Sequence, residues 1–142
     1  MSRGFIAKVS ITIKAPAGKV WAALVDPAMI KKYLFGTDAV SDWRKGGPIV
    51  FKGEYQGRTY EDKGLILDLE PGRRLRYSHW SSLSGLPDTP ENYHIVTMEL
   101  RAEGTGTLLT LSQDNNPDEE SRDHSQKTWE IVLGTMKKLL EE

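Results

Sequence analysis

From Phe5 to Lys14 apolar and polar positions alternate, with Phe5, Ala7, Val9, Ile11 and Ile13 on one side and Ile6, Lys8, Ser10, Thr12 and Lys14 on the other. A period of two over that length predicts a strand with one buried face. The period then changes. Pro16 opens a short helix, in which Val20 and Leu24 lie four apart beside Trp21 and Val25; this helix ends before Pro27. Asp26 is placed to cap a second helix that starts at Pro27, carries Ile30, Tyr33 and Leu34, and closes at Gly36. Gly46-Gly47-Pro48 breaks the pattern again, as a turn or as a bulge entering a strand.

Alternation returns after Pro48. Ile49 and Phe51 mark one strand, and a turn at Gln56-Gly57 leads to a second over Thr59–Leu69, where Leu65, Leu67 and Leu69 alternate. Pro71-Gly72 is a turn. Arg73–Trp80 follows as a strand, with Leu75, Tyr77 and His79 on one side and Arg76, Ser78 and Trp80 on the other. Ser81–Glu91 is too polar and too broken by Gly85, Pro87 and Pro90 for regular structure. Tyr93–Arg101 and Thr107–Asp114 are strands joined by a hairpin turn at Glu103–Gly106. The chain closes on a long helix, with Asn116 read as its N-cap and Pro117 as its first residue. Its stripe is Trp129, Val132, Leu133, Met136, Leu139 and Leu140. The predicted order is β-α-α-β-β-β-β-β-β-α in one domain, residues 1–142. Short turns favour antiparallel pairing. The single apolar face of such a sheet needs a cover, and only the terminal helix is large enough to supply one.

Composition narrows the chemistry. Net charge is -1, from 19 Lys and Arg against 20 Asp and Glu, so nothing global favours nucleic acid or anionic lipid. The chain has no cysteine, which excludes disulfides, thiolate metal sites and cysteine nucleophiles and fits the cytoplasm as the expected location. No apolar run reaches the length of a membrane span, and the N-terminal residues do not form a signal peptide.

No catalytic motif stands out. The three histidines, His79, His94 and His124, lack HExxH or any paired metal spacing, so neither a metal nor a cofactor is expected. His79 and His94 flank the 81–91 loop on strands expected to pair. They are read as strand-end histidines, with a metal or acid–base site beside a carboxylate as the sharper alternative. Glu61 and Asp62 are adjacent and so point to opposite faces of a strand. Asp42 is read as capping a turn rather than acting as a general base. The glycines do not have the spacing of a phosphate loop.

The order of Ala15-Pro16, Val20-Trp21, Asp26-Pro27, Lys32-Tyr33-Leu34, Ser41-Asp42-Trp43-Arg44, Gly46-Gly47, Gly64, Pro71-Gly72-Arg73-Arg74-Leu75, Thr107–Leu111 and Trp129 resembles one family. That family is the activator of the 90-kDa heat-shock protein ATPase, C-terminal-domain-like family, within the START-like (SRPBCC) superfamily. The resemblance covers essentially the whole chain. Tyr33 stands where the family pattern has Trp. These 142 residues hold no counterpart to the N-terminal chaperone-binding domain of the eukaryotic co-chaperones that name the family.

The resemblance implies an α+β helix-grip fold of the START and birch-pollen-allergen kind. A curved antiparallel sheet wraps the C-terminal helix, two short helices follow strand 1, and a cavity lies between sheet and helix. It implies a non-enzymatic module for a small hydrophobic or amphipathic molecule. The alternatives are a chaperone co-regulator or other protein-interaction module, which the family name ties to the stress response, and a cavity-based enzyme of cyclase or hydrolase type. The surplus of aromatics, Tyr55 among them, supports a lined pocket. The expected cavity residues are Phe51, Tyr60, Tyr77, His79, Met98, Trp129, Leu133 and Met136. Tyr33, Trp43, Leu83 and Leu86 are expected at its entrance or on a lid.

Overall fold

The structure, a computed structural model, describes residues 4–141; the side chain of Tyr55 lies outside the described atoms. Strand β1 (Phe5–Ile13) is followed by helices α1 (Ala17–Leu24) and α2 (Pro27–Tyr33). Six strands come next: β2 (Asp38–Ser41), β3 (Pro48–Tyr55), β4 (Arg58–Glu70), β5 (Arg74–His79), β6 (His94–Glu103) and β7 (Gly106–Asn116). Helix α3 (Glu119–Glu141) ends the fold, and a single turn of 3-10 helix, Pro90–Asn92, interrupts the loop before β6. The strands form one antiparallel sheet in the order β1-β7-β6-β5-β4-β3-β2. This is the helix-grip architecture. The element order agrees with expectation, and β2 is the strand that the alternation had not located. Four residues leave too little room for a period to show.

Local signals behave as their chemistry predicts. Asp26 caps α2, its carboxylate accepting from the Ala28 amide at 3.0 Å. Gln56 and Gly57 both take positive φ, 50° and 79°, as a two-residue hairpin turn requires. The start of α3 differs from expectation. Its cap is Asp118, which accepts from the Ser121 amide at 2.8 Å. Asn116 instead ends β7 and is buried. Its amide donates to the carbonyls of Phe5 and Gln113, and its oxygen accepts from Ser125, so one side chain ties β1, β7 and α3 together. Asn116 is held by partners on β1, β7 and α3, which leaves the cap to Asp118.

Strand β4 shapes the sheet. Its first half pairs with β3 and its second half with β5, and the strand bends between them. At Gly64 a Cβ would lie 1.6 Å from the Ser78 carbonyl oxygen, so only glycine permits this approach. A bulge between Ile66 and Asp68 then shifts the register. Ile66 and Leu69 both reach the core, whereas Leu65 and Leu67 lie on the convex face, 50% and 37% exposed. The leucine alternation therefore marks the outer side over its first two members, because the extra residue of a bulge reverses parity.

The core is the concave face of the sheet against α1, α2 and α3. Val132, Leu133, Met136 and Leu140 of α3 are buried as the stripe predicted, with Trp129 and Leu139 partly buried beside them.

Candidate functional site

A small, partly open apolar space lies between the concave face and the helices. Its floor is Ile49 and Phe51 of β3, Leu75 and Tyr77 of β5 and Met98 of β6. Leu24, Ile30, Tyr33 and Leu34 wall it on the α1–α2 side, and Trp43 and Trp129 stand at its edge. Its volume is about 20 Å³, room for roughly one water molecule. A wider depression of about 420 Å³ lies on the convex face among Arg73, Arg74, Arg101, Glu70 and Glu99. It is polar, and Arg74 is already engaged there by Asp68 and Glu70 at 2.8 and 2.9 Å, so the apolar chamber is the better candidate for a ligand.

The chamber collects some expected residues and not others. Phe51, Tyr77, Met98 and Trp129 line it, and Tyr33 and Trp43 form part of its wall. Leu133 and Met136 are wholly buried and fill the core beyond it. Tyr60 lies over Gly53, where a Cβ would meet its hydroxyl at 2.4 Å, and it bonds the Thr37 hydroxyl at 2.6 Å. Leu83 and Leu86 do not border the chamber. Their loop is tied to the convex side: Trp80 Nε1 donates to the Leu86 carbonyl at 3.2 Å, and Asp88 accepts from Lys63 at 2.5 Å and from Tyr93 at 2.6 Å. Hydrogen bonds from Lys63 and from the Tyr93 hydroxyl, with the Lys63 charge added, hold the Asp88 carboxyl below the usual range.

The positions of Trp43 and Trp129 have clear local causes. The Trp43 amide donates to Ser41 Oγ at 3.0 Å, and Ser41 in turn donates to the Pro48 carbonyl. Gly46 and Gly47 exchange backbone hydrogen bonds with Ile66 at 2.7 and 2.9 Å, clamping the turn to β4. Asp42 occupies the space left by Gly47 and pairs with Arg44 at 2.9 Å. Trp129 Nε1 donates to Gln113 Oε1 at 2.7 Å, fixing the indole over the inner end of β7. Tyr33 donates to the Ala23 carbonyl at 3.1 Å, and burial raises its phenol pKa far above the ordinary value. Tyr77 is raised as well, first by burial and then by the nearby Asp62 charge. Both phenols keep their protons at any physiological pH.

Asp62, expected on the opposite face from Glu61 but given no partner by the sequence, is the polar residue beside the chamber floor. It stands opposite Phe51 in the β3–β4 register and so shares the concave face, while Glu61 points outward toward Lys52. Asp62 Oδ2 accepts from His79 Nε2 at 3.1 Å, and the His79 ring meets the Phe51 ring edge-on at 5.9 Å. His79 pairs in register with His94, as expected of the two strands, but His94 turns its Nδ1 to the Asp114 carbonyl at 2.7 Å. Among the described residues no His, Asp or Glu cluster has the makings of a metal site. The signal for Asp62 was available in its even-numbered spacing from Tyr60 and Ile66; the leucines at odd positions masked it. No helix is long and apolar enough to cross a membrane among the described residues.

Known structures place this architecture. A protein of Cytophaga hutchinsonii is 50% identical, with a TM-score of 0.87, over 99% of this chain and 97% of that one. A protein of Chromobacterium violaceum is 26% identical, with a TM-score of 0.79, over 96% and 97%. At 19% identity, the Aha1 dimer of Colwellia psychrerythraea shares the fold, with a TM-score of 0.77 over 96% of each chain. Comparison with curated proteins gives no match. Residues 14–141 match the sequence pattern of the family described as Activator of Hsp90 ATPase homolog 1-like protein, and the chain belongs to that family.

Proposed function

We propose that the protein is a non-enzymatic cytoplasmic binding module for a small hydrophobic or amphipathic molecule, whose apolar body enters between the concave sheet face and α3. The observation that carries this reading is the chamber itself. Phe51, Tyr77, Trp43 and Trp129 converge on a space that they do not fill. Its resting volume of about 20 Å³ means that a ligand must push a wall outward. The segment from Leu34 to Arg44, ahead of the Gly46-Gly47 clamp, is suited to yield. It contains only the four-residue edge strand β2, and Phe35 and Trp43 hold left-handed φ values of 52° and 54°, a conformation that costs energy for bulky residues and often marks ligand-gripping segments.

Native mass spectrometry and tryptophan fluorescence, with a fatty acid, a sterol and a polycyclic aromatic phenol as probes, test the reading. The expected result is a one-to-one complex with at least one probe and a changed Trp43 or Trp129 emission. No complex with any of the three, together with unchanged emission, would remove it.

A second reading is a protein contact on the convex face, favoured by the exposure of Val40, Leu65 and Leu67 there. A pulldown with the 90-kDa chaperone and an ATPase assay separate the two. Stimulation that is lost in Leu65→Glu supports the contact, and absence of both binding and stimulation excludes this partner.

A further inference from the structure

The Asp62–His79 pair lies on the same concave face as the chamber, immediately behind two of its floor residues. Phe51 touches both sides: its ring is 5.7 Å from Tyr77 and 5.9 Å from His79. The Asp62 side chain is only 15% exposed. One of its oxygens is taken by His79; the other, Oδ1, is sealed from solvent and accepts no hydrogen bond among the described residues. A carboxylate oxygen has lone pairs for more than one donor. A buried acceptor left empty destabilises the fold, and native proteins keep few of them. His79 donates through Nε2, so it holds the carboxylate in place without filling Oδ1. The surrounding groups set the type of partner. An anion would meet the Asp62 charge, and the faces of Phe51 and Tyr77 favour an aromatic neighbour.

Resting on the ligand-binding reading above, we propose that Asp62, positioned by His79, is the polar anchor of the chamber and accepts a hydrogen bond from a donor group, a hydroxyl or a protonated amine, carried on an aromatic body. A shift of the Phe51 ring joins the chamber to Oδ1. The ligand then lies between Trp43 and Trp129 at one end and Asp62 at the other.

The test uses four matched probes: 2-naphthol, 2-naphthylmethylamine, 2-methoxynaphthalene and 2-naphthoate. Titration is followed by tryptophan fluorescence and by the ring nitrogen signals of His79 in NMR spectra. The expected result is that 2-naphthol or the amine binds about tenfold or more tightly than the methyl ether, with 2-naphthoate weakest. Only the donor probes then move the His79 signals. Preference for the amine over the phenol identifies the donor as cationic, and the reverse as neutral. Asp62→Asn, the same shape without the carboxylate, abolishes the preference. His79→Gln, which keeps a donor to Asp62, retains it better than His79→Ala.

Equal binding of 2-naphthol, the amine and the methyl ether in the unaltered protein, with His79 signals unmoved, overturns the anchor and leaves chamber binding standing. Failure of all four probes to bind overturns the anchor, and the chamber reading falls with it only if the fatty acid and the sterol fail as well. The wild-type comparison needs no variant to fold.

Discussion

Among the described glycines Gly64 leaves the least room for a Cβ, and a single methyl group there has nowhere to go. The Ser78 carbonyl belongs to a neighbouring strand and cannot retreat without opening the β4–β5 junction. Gly64→Ala is therefore expected to destabilise by about 3 kcal/mol or more, as overpacking against backbone does. Gly134, inside α3 with open space where its Cβ would stand, makes the contrast. Gly134→Ala is expected to stabilise by about 0.5–1 kcal/mol. Chemical denaturation of the two variants measures both signs. Deep in the core, Met136→Ala is expected to cost about 2–5 kcal/mol, since its side chain is fully enclosed. At this scale the sequence was legible where chemistry is local: the Asp26 cap and the Gln56-Gly57 turn are both as read. It was less legible in the chamber. Leu133 and Met136 sit on the right stripe, but a stripe does not say which of its members meet other side chains and which face a void.

Helix α3 is secured at both ends by carboxylates whose pKa values are depressed in the fold. Asp118 is lowered by the Ser121 amide and hydroxyl, and Glu141 by Lys137 and by the Lys14 amide. A carboxyl depressed in the folded state contributes stability that is present above its unfolded pKa, near 4, and is lost as pH falls through the lower folded value. The ends of α3 are thus expected to loosen in acid, below about pH 4. Asp118→Asn and Glu141→Gln should flatten the acid side of the stability curve, and amide exchange at Ser121 and Lys14 reports it. A curve of unchanged slope in the double variant would count against this account. Asn116 works between elements. Replacing it with Ala strands the Phe5 and Gln113 carbonyls, with an expected cost of about 1–3 kcal/mol. The misreading of Asn116 as the cap and the switch of faces along the β4 leucines have the same origin. Both depend on which neighbour across the fold claims a group, and neither a cap motif nor an alternation contains that information.

The molecule as a whole has an inner and an outer system. The chamber, Tyr33, Tyr77 and the Asp62–His79 pair are inside. Lys63, Trp80, Asp88 and Tyr93 lock the 81–92 loop to the outside. Perturbing the lock is expected to free the loop without touching ligand binding. Asp88→Asn should raise proteolysis near Gly85, and Leu83→Ser with Leu86→Ser should leave probe affinity unchanged. A drop in affinity would restore the lid role first expected of those leucines. In contrast, Trp129→Ala removes one edge of the chamber and should change both probe affinity and stability.

Taken alone, the sequence determined the element order, the antiparallel sheet, the grip of the terminal helix and the family pattern. The sheet and the helix stripe rest on periods and turn chemistry written within a few residues; the family pattern, and the grip it implies, rest on the order of those motifs along the whole chain. The tertiary structure decided how much space is left inside, which face each half of β4 presents, and that Asp62 meets His79. Volume is the difference between a frame and everything packed into it, and face is set by a bulge and a bend against distant strands. Those quantities exist only once residues far apart in the chain have been brought together.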